Sequence, residues 1–406
     1  MQRHLRRKLL GGTAMEQIEY IVGDETKLRQ MTEVSAWKPF DERVIHFCGE
    51  LSNALMREKD CRLYPDLVTL AFFLRKSNVQ RISQSYSDLT DHLGRGFVFH
   101  IAPGNVALSF AYSLVTGLLT GNTNILRLPS RRFRQADIFC EVLQNILAVE
   151  PELAERICLV KYPHDKALTD KLSAQCRTRV IWGGDDTINT IRQSPIPPRA
   201  TEITFANRFS VCIINADKYL SDYDPPKTAH NFYIDTYLSD QNACSSPRIM
   251  FWTGKKIEEA KKVFWGALYD EISEYNIAPV TTVSKLLTFC KFAAENRCEL
   301  VAGPDYRIMR VKVESLNLKI LENIGNSGYF YECDISDMRE ILPICTWELQ
   351  TISYIGLDEK DIRKMILSNA PNGVDRIVSV GRTMDFGFVW DGRDVVREMT
   401  RKVSIL

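Results

Sequence analysis

A stretch of thirty residues, Phe97–Leu126, contains no lysine, arginine, aspartate or glutamate. The tripeptide Pro103-Gly104-Asn105 interrupts this stretch, and a second group of turn-forming residues follows at Gly121–Asn124. The apolar segments between these breaks predict a buried strand, a buried helix and a second buried strand, at Phe97–Ala102, Val106–Leu119 and Ile125–Leu128. Two strands joined by a helix, all without charge, indicate the centre of an α/β domain with a parallel sheet.

The same stretch is long enough to cross a membrane, for which about 20 apolar residues suffice. The break at Pro103-Gly104-Asn105, however, leaves only fifteen residues, 106–120, before the stop at Gly121. Asn122, Thr123 and Asn124 would then lie unsatisfied in lipid, where no water can bond to them. We therefore interpret the segment as a buried core helix and predict no transmembrane segment.

The composition is that of an ordinary globular protein, with 406 residues of which 45% are hydrophobic and 25% charged. This length predicts two domains. A formal net charge of +1 gives no sign of a nucleic-acid partner or of an acidic membrane surface. The 11 cysteines include no Cys-x-x-Cys pair, and the 6 histidines show no metal-ligand spacing. We therefore predict reduced thiols, a cytoplasmic location and no metal site.

Strand and helix patterns alternate along the chain, which predicts two doubly wound domains with parallel sheets. We interpret residues 1–14 as a flexible leader, with no apolar run long enough for a signal peptide. It could be a short amphipathic targeting arm or a non-native leader, since Met15 could itself be a start. The first domain, with N-terminal helices, is predicted at 15–238 and the second at 239–370. A C-terminal segment, 371–406, is expected to return to the first domain or to an interface. In this division Ile203–Ile214 is one strand, and residues 25–90 are helical.

Cys244 is the nucleophile that the sequence favours. It lies in a polar loop, Gln241–Ser246, between a predicted helix and a predicted strand, whereas several other cysteines lie within apolar runs. A reactive thiol needs partial exposure and nearby donors that favour the thiolate, and a polar loop can supply both. The alternative is an ordinary loop cysteine without a catalytic role.

Three polar residues near strand ends are further candidates. The Asn105 amide could donate a hydrogen bond to an oxyanion, or it could cap the helix predicted from Val106. Glu202, at the entrance of the strand that begins at Ile203, could be a general base or a solvated carboxylate. Glu348 is a lone charge in an apolar stretch, and a buried carboxylate there would need partners such as two sugar hydroxyls.

The pair Gly183-Gly184 lies between a predicted strand and a predicted helix, where it could let a phosphate approach the helix N-terminus. Asp185 and Asp186 oppose that interpretation, because their carboxylates would occupy the same positive end. The chain contains no Walker A motif. Gly94-Arg95-Gly96 precedes a strand and lacks a third glycine, so it is not the dinucleotide-binding fingerprint.

The order of these motifs resembles that of the aldehyde dehydrogenase superfamily. In that superfamily an asparagine after the first strand is the oxyanion donor, and a basic residue that ends the second strand meets the adenosine ribose. The resemblance assigns these roles to Asn105 and Arg127. It also makes Glu202 the general base and Cys244 the nucleophile of a Gly-Gln-x-Cys-like loop. Glu348, in a Glu-x-Phe-like segment, would hold the nicotinamide ribose.

Within the superfamily, the chain is more similar to the LuxC-type acyl-CoA reductases, which supply long-chain aldehyde. The resemblance covers residues 80–395 and rests on four motifs that occur in the same order: His100–Val106, Trp182–Asp185, Gln241–Pro247 and Phe386–Gly392. It implies an aldehyde-dehydrogenase-like fold in which the first domain binds NADP and the second carries the nucleophile.

The resemblance further implies that an acyl thioester, either acyl-CoA or acyl-protein, is reduced to a long-chain aldehyde through an acyl-Cys244 intermediate. An acyl-activating or acyl-transferring enzyme and a second copy of the chain are the partners that it suggests. Two alternatives remain open, namely a dehydrogenase that oxidises an aldehyde and a non-catalytic subunit that binds acyl chains.

NADPH is the predicted cofactor. Four arginines lie between positions 127 and 134 with no nearby carboxylate, which suits a 2′-phosphate because arginine pairs with phosphate in a bidentate manner. A solvated basic turn is the alternative. The predicted cofactor site consists of Arg127, Ser130, Arg131, Gly183, Gly184 and Glu348.

Overall fold

A computed structural model describes residues 18–301, 303–314, 316 and 318–404. These residues form two units. The first unit runs to Ala206 and also includes Phe386–Val389 and the chain from Arg393 onward. The second unit comprises Asn207–Asp385 and Trp390–Gly392. The predicted leader, 1–14, lies outside the described residues.

The strands are numbered along the chain. They are β1 (Glu19–Val22), β2 (His92–Gly94), β3 (Phe97–Ile101), β4 (Thr123–Arg127), β5 (Ile157–Lys161), β6 (Thr178–Trp182), β7 (Thr201–Phe205), β8 (Phe209–Asn215), β9 (Pro247–Thr253), β10 (Cys298–Val301), β11 (Met309–Val313), β12 (Tyr329–Asp334), β13 (Leu349–Ile355), β14 (Arg376–Ser379), β15 (Val389–Trp390), β16 (Arg393–Asp394) and β17 (Thr400–Lys402).

The helices alternate with these strands over most of the chain. They are α1 (Glu25–Gln30), α2 (Glu42–Arg57), α3 (Pro65–Phe73), α4 (Lys76–Gln84), α5 (Ser109–Leu119), α6 (Arg134–Leu147), α7 (Pro151–Ala154), α8 (Lys166–Gln175), α9 (Asp185–Arg192), α10 (Ala216–Asp222), α11 (Pro225–Asp235), α12 (Ile257–Glu271), α13 (Pro279–Ala293), α14 (Lys319–Glu322), α15 (Glu359–Asn369) and α16 (Val395–Glu398). Short 3₁₀ turns occur at Cys61–Leu63, Tyr237–Ser239 and Met338–Ile344.

The first unit is built around a six-stranded sheet with the order β1-β5-β4-β3-β6-β7. All neighbours are parallel except β1, which pairs with β5 in the antiparallel direction. A separate antiparallel pair joins β17 to β2, so the end of the described chain returns to this unit. The predicted strand–helix–strand at the centre is confirmed, because α5 connects the parallel neighbours β3 and β4.

The uncharged helix α5 is buried on nearly every side. It contacts both β3 and β4, and its close approach to β4 depends on a glycine. A Cβ atom at Gly117 would lie 1.8 Å from Oδ1 of Asn124. The full burial explains the absence of charge, since an unpaired charge inside this layer would cost several kcal/mol.

A polar network crosses this apolar core. His100 contacts Ser113 Oγ through Nδ1 (2.8 Å) and Asn124 Oδ1 through Nε2 (3.0 Å). The Asn124 amide nitrogen donates to the carbonyl oxygen of Asn122 (3.0 Å), so its Oδ1 is an acceptor and the histidine proton is assigned to Nε2. Ser113 then donates to Nδ1 and accepts from Trp182 Nε1 (3.2 Å). The network satisfies both histidine nitrogens in the neutral form.

Acid should weaken the first unit through His100. Burial lowers the pKa of His100 to about 4, although the hydrogen bond with Asn124 opposes the shift. An unfolded histidine has a pKa near about 6.5. The unfolded chain therefore takes up the proton first, so stability is complete above about pH 6.5 and falls as the pH drops towards 4, by about 3 kcal/mol. Urea unfolding between pH 7 and 4 should show this extra loss in the wild type and not in His100→Gln.

The matched control for this prediction is His164→Gln, because His164 is exposed. That variant should keep the pH dependence of the wild type. Identical pH dependence in wild type and His100→Gln would contradict the prediction.

The second unit is built around a seven-stranded sheet with the order β10-β11-β12-β9-β8-β13-β14. Only β10 and β11 pair in the antiparallel direction, and the other neighbours are parallel. Apolar side chains from both faces of this sheet form two separate buried clusters. The prediction of two largely parallel sheets is therefore confirmed.

The predicted strand Ile203–Ile214 is wrong, and the error displaces the predicted domain boundary. Thr201–Phe205 is the edge strand of the first sheet and pairs with β6. Phe209–Asn215 lies inside the second sheet, between β9 and β13. The chain therefore passes from one unit to the other at Ala206, and not near residue 238, because β8 pairs with β9 and β13, which come later in the chain.

One further prediction needs correction. Helices α1–α4 lie within residues 25–90 as predicted, and a strand, β1, precedes them at the edge of the first sheet. The predicted C-terminal segment 371–406 is divided between the units, since Arg376–Ser379 belongs to the second sheet whereas residues from 393 belong to the first unit. No helix in the described part of the chain is both long and apolar enough to cross a membrane.

Candidate active site

The side chain of Gln241 holds the loop that carries the candidate nucleophile. Gln241 is fully buried, and its amide nitrogen donates to the carbonyl oxygens of Pro247 (2.8 Å) and Tyr329 (3.1 Å). Its amide oxygen accepts from the backbone nitrogens of Gly328 (3.0 Å) and Tyr329 (3.1 Å). These four bonds support a strained turn in which Asp240 and Gln241 both have left-handed backbone, with φ of 51° and 58°.

Cys244 follows this turn and is half-buried, whereas most of the other cysteines are buried. Its carbonyl oxygen accepts a hydrogen bond from Ser210 Oγ (2.7 Å), which ties the loop to β8. Burial raises the pKa of the Cys244 thiol to about 11, and the nearby Asp391 carboxylate adds to the rise, whereas a hydrogen bond from Gln350 opposes it. The resting thiol is therefore protonated at neutral pH, and a nucleophilic role requires a group that takes its proton.

Gln350 and Asp391 were not among the predicted site residues, yet they lie beside the thiol. Gln350 Nε2 donates to Cys244 Sγ (3.1 Å) and to Asp391 Oδ1. Thr351 Oγ1 donates to Gln350 Oε1 (3.2 Å), so the amide nitrogen, and not the oxygen, faces the sulphur. A signal for Gln350 was present, because it stands two residues after Glu348, where the Glu-x-Phe-like pattern has an aromatic residue.

Asp391 is placed by a tight turn. Asp391 and Gly392 connect β15 and β16 with φ of 50° and 70°, as a two-residue Asp-Gly hairpin turn requires. A Cβ atom on Gly392 would lie 2.7 Å from Asp375 Oδ1, so the turn packs closely against that carboxylate. Burial raises the pKa of Asp391 and the charge of Asp375 adds to the rise, whereas the hydrogen bond from Gln350 and the charge of Arg208 oppose it.

In the first unit, three predicted residues lie at one edge of the sheet. From β3 the chain continues to β4 and β5 on one side, and from β6 it continues to β7 on the other, so the neighbours β3 and β6 form a topological switch point. Open α/β sheets bind ligands outside the strand ends at such a point. Asn105 is exposed in the loop after β3, and Gly183 and Gly184 follow β6 directly.

The alternative role of Asn105 as a helix cap is wrong. Helix α5 begins at Ser109, and its cap position is Leu108, which makes no capping hydrogen bond through its side chain. The predicted start at Val106 was too early, because residues 102–108 form a loop at the sheet edge. Asn105 therefore belongs to that loop, and its predicted role as an oxyanion donor stays a prediction.

Arg127 ends β4, next to the switch point. Its guanidinium lies 4.7 Å from the centre of the Tyr162 ring, and one terminal nitrogen donates to the Tyr162 carbonyl oxygen at 3.4 Å. The Arg127 Nε atom is buried and has no hydrogen-bond partner within the described residues. An unpaired buried donor on a cation at this edge fits an anionic cofactor group.

The other basic residues of this segment differ in their surroundings. Ser130 and Arg131 are exposed after β4, with the Arg131 guanidinium 4.8 Å from the centre of the Phe133 ring. Arg134 forms ion pairs with Glu141 (3.3 Å) and Asp60 (3.7 Å). The expectation that the four arginines lack a nearby carboxylate is therefore wrong for Arg134, whose partners come from helix α6 and from a distant loop.

The structure does not support Glu202 as a general base. Its two carboxylate oxygens pair with Arg179 (2.5 Å) and Arg192 (2.7 Å), and only 16% of its side chain is exposed. Burial by itself would raise the pKa of Glu202, but the hydrogen bonds and charges of Arg192 and Arg179 lower it overall. A carboxylate that is doubly ion-paired and easily ionised is a poor proton acceptor, so these contacts make Glu202 a structural residue.

Glu348 is exposed, and the prediction of a buried carboxylate there is wrong. The backbone of this residue is ordered, because its carbonyl oxygen accepts from the Phe209 nitrogen (3.0 Å) and from Arg208 Nε (3.2 Å). The neighbouring Trp347 is 74% exposed. An exposed carboxylate is free to contact a ligand, and its predicted bond to a ribose stays a prediction.

Comparison with known proteins decides the family. The model of the family described as acyl-CoA reductase (LuxC) matches residues 22–284. This chain belongs to the LuxC family of acyl-CoA reductases. The match includes the loops after β3 and β6 and the Cys244 loop, but it ends before Gln350 and Asp391.

Curated relatives of this LuxC-family chain are long-chain acyl-protein thioester reductases. The protein from Photorhabdus laumondii is 29% identical over 322 residues, which cover 77% of this chain and 63% of the relative. The protein from Aliivibrio fischeri is 24% identical over 319 residues, which cover 76% of this chain and 64% of the relative. The LuxC-family chain thus spans less than two thirds of the length of these relatives.

Among solved structures, this chain is similar to aldehyde dehydrogenase 21 from Physcomitrella patens, with a TM-score of 0.62 and 14% sequence identity. The alignment covers 89% of this chain and 83% of that protein. This likeness confirms the predicted aldehyde-dehydrogenase-like fold.

Proposed function

We propose that this LuxC-family chain reduces an acyl thioester to an aldehyde through an acyl-Cys244 intermediate. The observation that carries the proposal is the Cys244 loop, in which a half-buried thiol receives a hydrogen bond from a fixed amide, Gln350 Nε2, at 3.1 Å. A donor on sulphur favours the thiolate that attacks a carbonyl. The curated relatives, named long-chain acyl-protein thioester reductases, support the same reaction.

In the proposed reaction, the Cys244 sulphur attacks the thioester carbonyl and the thiol of the acyl donor leaves. When bound, the reduced nicotinamide supplies the hydride that converts the acyl group to the aldehyde level. The resulting hemithioacetal on Cys244 then collapses and releases the aldehyde. Asn105 is the proposed oxyanion donor, and removal of such a donor slows turnover by about 10²–10³-fold in comparable sites.

Reduction is favoured over aldehyde oxidation by the contacts of Glu202. Oxidation requires a base that activates water to hydrolyse the acyl-cysteine, and both carboxylate oxygens of Glu202 are held by guanidinium groups. In the reductive direction no water has to be activated. Acid formation from aldehyde at a rate comparable with thioester reduction would contradict this choice.

We infer that the cofactor is NADPH. Open α/β sheets bind ligands at a switch point such as the one after β3 and β6. The Arg127 Nε atom at the adjacent strand end has no hydrogen-bond partner within the described residues and suits a 2′-phosphate. Arg127→Ala should raise the KM for NADPH by about tenfold, as expected for loss of a charge-assisted hydrogen bond, with a smaller effect on NADH. The control is Arg134→Ala, which removes an arginine that is already ion-paired. Equal KM changes for the two cofactors would contradict the assignment.

The proposed function is tested with purified protein, NADPH or NADH, and acyl donors of increasing chain length. Each acyl group is supplied both as a CoA ester and as a thioester on a carrier protein. NADPH absorbance should fall with matching formation of aldehyde, and the response to chain length and donor should identify the substrate class. A protein that is folded and binds NADPH, but forms no aldehyde from either donor, would refute the proposal.

A further inference from the structure

The contacts around Cys244 leave one chemical requirement unassigned. The thiol is protonated at rest, and Glu202, the base that the family resemblance suggested, belongs to a structural ion pair of the first unit. A group close to the sulphur must therefore accept the proton as the nucleophile forms.

We propose that Asp391 is the proton partner of Cys244 and that Gln350 is the positioning residue that holds the two together. The inference rests on the proposed function, because it assigns a role in the same acyl-transfer step.

The geometry of Gln350 carries this inference. A single atom, Nε2, donates to Cys244 Sγ at 3.1 Å and to Asp391 Oδ1, so the sulphur and the carboxylate lie within about 6 Å of each other. That gap can be closed by one water molecule or by a small rotation of the carboxylate. Gln350 cannot turn its amide without losing the bond from Thr351 Oγ1, and it is fully buried.

The arginines near Cys244 and Asp391 form their ion pairs and hydrogen bonds with other groups. Arg208 forms an ion pair with Asp375 and donates to the Glu348 and Leu349 carbonyl oxygens. Arg376 and Arg248 donate to backbone carbonyl oxygens: Arg376 to those of Arg382, Thr383 and Asp385, and Arg248 to those of Gln241 and Gly325.

Asp391 is therefore the carboxylate available to the thiol. Within the described residues it accepts from Gln350 and forms no ion pair. The charged groups that act on Cys244 are Asp391, Arg208, Arg248 and Arg376, and those that act on Asp391 are Arg208, Asp375 and Arg376. Burial raises the pKa of Asp391, which makes this carboxylate a better proton acceptor than an ordinary aspartate.

The proposed step balances without any further reactant. The S–H bond of Cys244 breaks as its sulphur attacks the thioester carbon, and the proton passes to Asp391. When the bond between that carbon and the donor sulphur breaks, Asp391 returns the proton to the departing thiolate. The products are acyl-Cys244, the free thiol of the donor and an ionised Asp391.

The test combines thiol alkylation with turnover in Asp391→Asn. Asparagine keeps the shape of the side chain and tolerates the left-handed backbone of the turn, so the hairpin is preserved. Removing the negative charge should lower the pKa of the Cys244 thiol, and alkylation by iodoacetamide near pH 7.5 should become about tenfold faster. Reductase turnover should nevertheless fall by about 10²–10⁴-fold, because the proton acceptor is lost. A purely structural role would not make the thiol more reactive and the enzyme slower at once.

Gln350→Met should change the alkylation rate of Cys244 in the opposite direction. Loss of the donor on sulphur should slow alkylation and slow turnover together. Asp385→Asn is the control, since Asp385 pairs with Arg382 (2.9 Å) in the same C-terminal segment and should change neither rate. Alkylation is followed by the mass of the Cys244 peptide, because Cys290 is also exposed.

The outcomes separate the two claims. An unchanged alkylation profile in Asp391→Asn, or faster alkylation with undiminished turnover, would overturn the pairing of Asp391 with Cys244. Absence of turnover in the wild type would instead overturn the proposed function, while the alkylation profiles would still decide whether Asp391 and Gln350 control the thiol.

Discussion

Replacing Cys244 with alanine is expected to abolish acyl-thioester reduction, with a loss of at least about 10⁴-fold in turnover. The physical reason is that the proposed acyl intermediate forms on the Cys244 sulphur, and alanine has no nucleophilic atom. Gln350 Nε2 points at this sulphur, and the adjacent Ser245 Oγ is directed to the sulphur of Met384 at 3.6 Å. The measurement is single-turnover NADPH oxidation with an acyl thioester, together with mass detection of an acyl group on the Cys244 peptide.

The fold should survive this substitution. The loop is held by the four hydrogen bonds of the Gln241 side chain and by Ser210 Oγ, which binds the backbone of residue 244 and not its thiol. The melting temperature should therefore stay close to that of the wild type. Cys290→Ala, on the exposed surface of α13, is the matched control and should retain full turnover. Undiminished reduction by Cys244→Ala would show that the nucleophile is another residue.

Replacing Glu202 with alanine should destabilise the protein by about 3–5 kcal/mol. Arg179, its partner, is only 3% exposed and would be left as a buried cation without a counter-charge. The remaining bonds of Arg179 are to Ser173 Oγ (3.0 Å) and to the carbonyl oxygens of Ile191 (3.3 Å) and Ser194 (2.6 Å); these groups are neutral and cannot replace the carboxylate. Urea unfolding at pH 7 measures the loss.

The pH dependence of this pair has a defined sign. The pKa of Glu202 is lowered in the folded state, so its stabilising contribution is complete above the unfolded value of about 4.3 and is lost as the pH falls through the lower folded value. Glu202→Ala should lack that loss on acidification. Glu141→Ala is the control, because Glu141 forms an exposed pair with Arg134 and its removal should leave the free energy of unfolding almost unchanged.

The same variant distinguishes the two roles considered for Glu202. A general base would show a large loss of turnover with little change in the free energy of unfolding. If Glu202 only forms a structural ion pair, the variant loses free energy of unfolding but keeps its turnover at temperatures where it is still folded. A stable but inactive Glu202→Ala would restore the base role and refute the structural assignment.

The first unit was predictable over much of its centre. The uncharged run from Phe97 to Leu126 predicted β3, α5 and β4 with errors of a few residues at the ends, because full burial imposes apolar side chains on every face. The order of the motifs likewise placed Cys244 in the polar loop Gln241–Ser246. Both signals are local, because each comes from a run of neighbouring residues.

The long-range contacts were not predictable in this way. Glu202 has its partner Arg179 at a sequence distance of 23 residues, and Gln350 reaches Cys244 across 106 residues and Asp391 across 41. Periodicity describes which face of a strand is buried, but it does not state which strand lies beside it. For that reason the sequence could list candidate carboxylates without showing which one is near the thiol.

The amino-acid sequence by itself determined the alternation of strands and helices, the uncharged centre of the first sheet and the polar loop that carries Cys244, because burial and turn formation act on neighbouring residues. The tertiary structure decided the separation of Thr201–Phe205 from Phe209–Asn215, the pairing of Glu202 with arginines, and the placing of Gln350 and Asp391 beside the sulphur. Strand order and charge pairing depend on which distant segments meet, and that is fixed only when the sheets assemble.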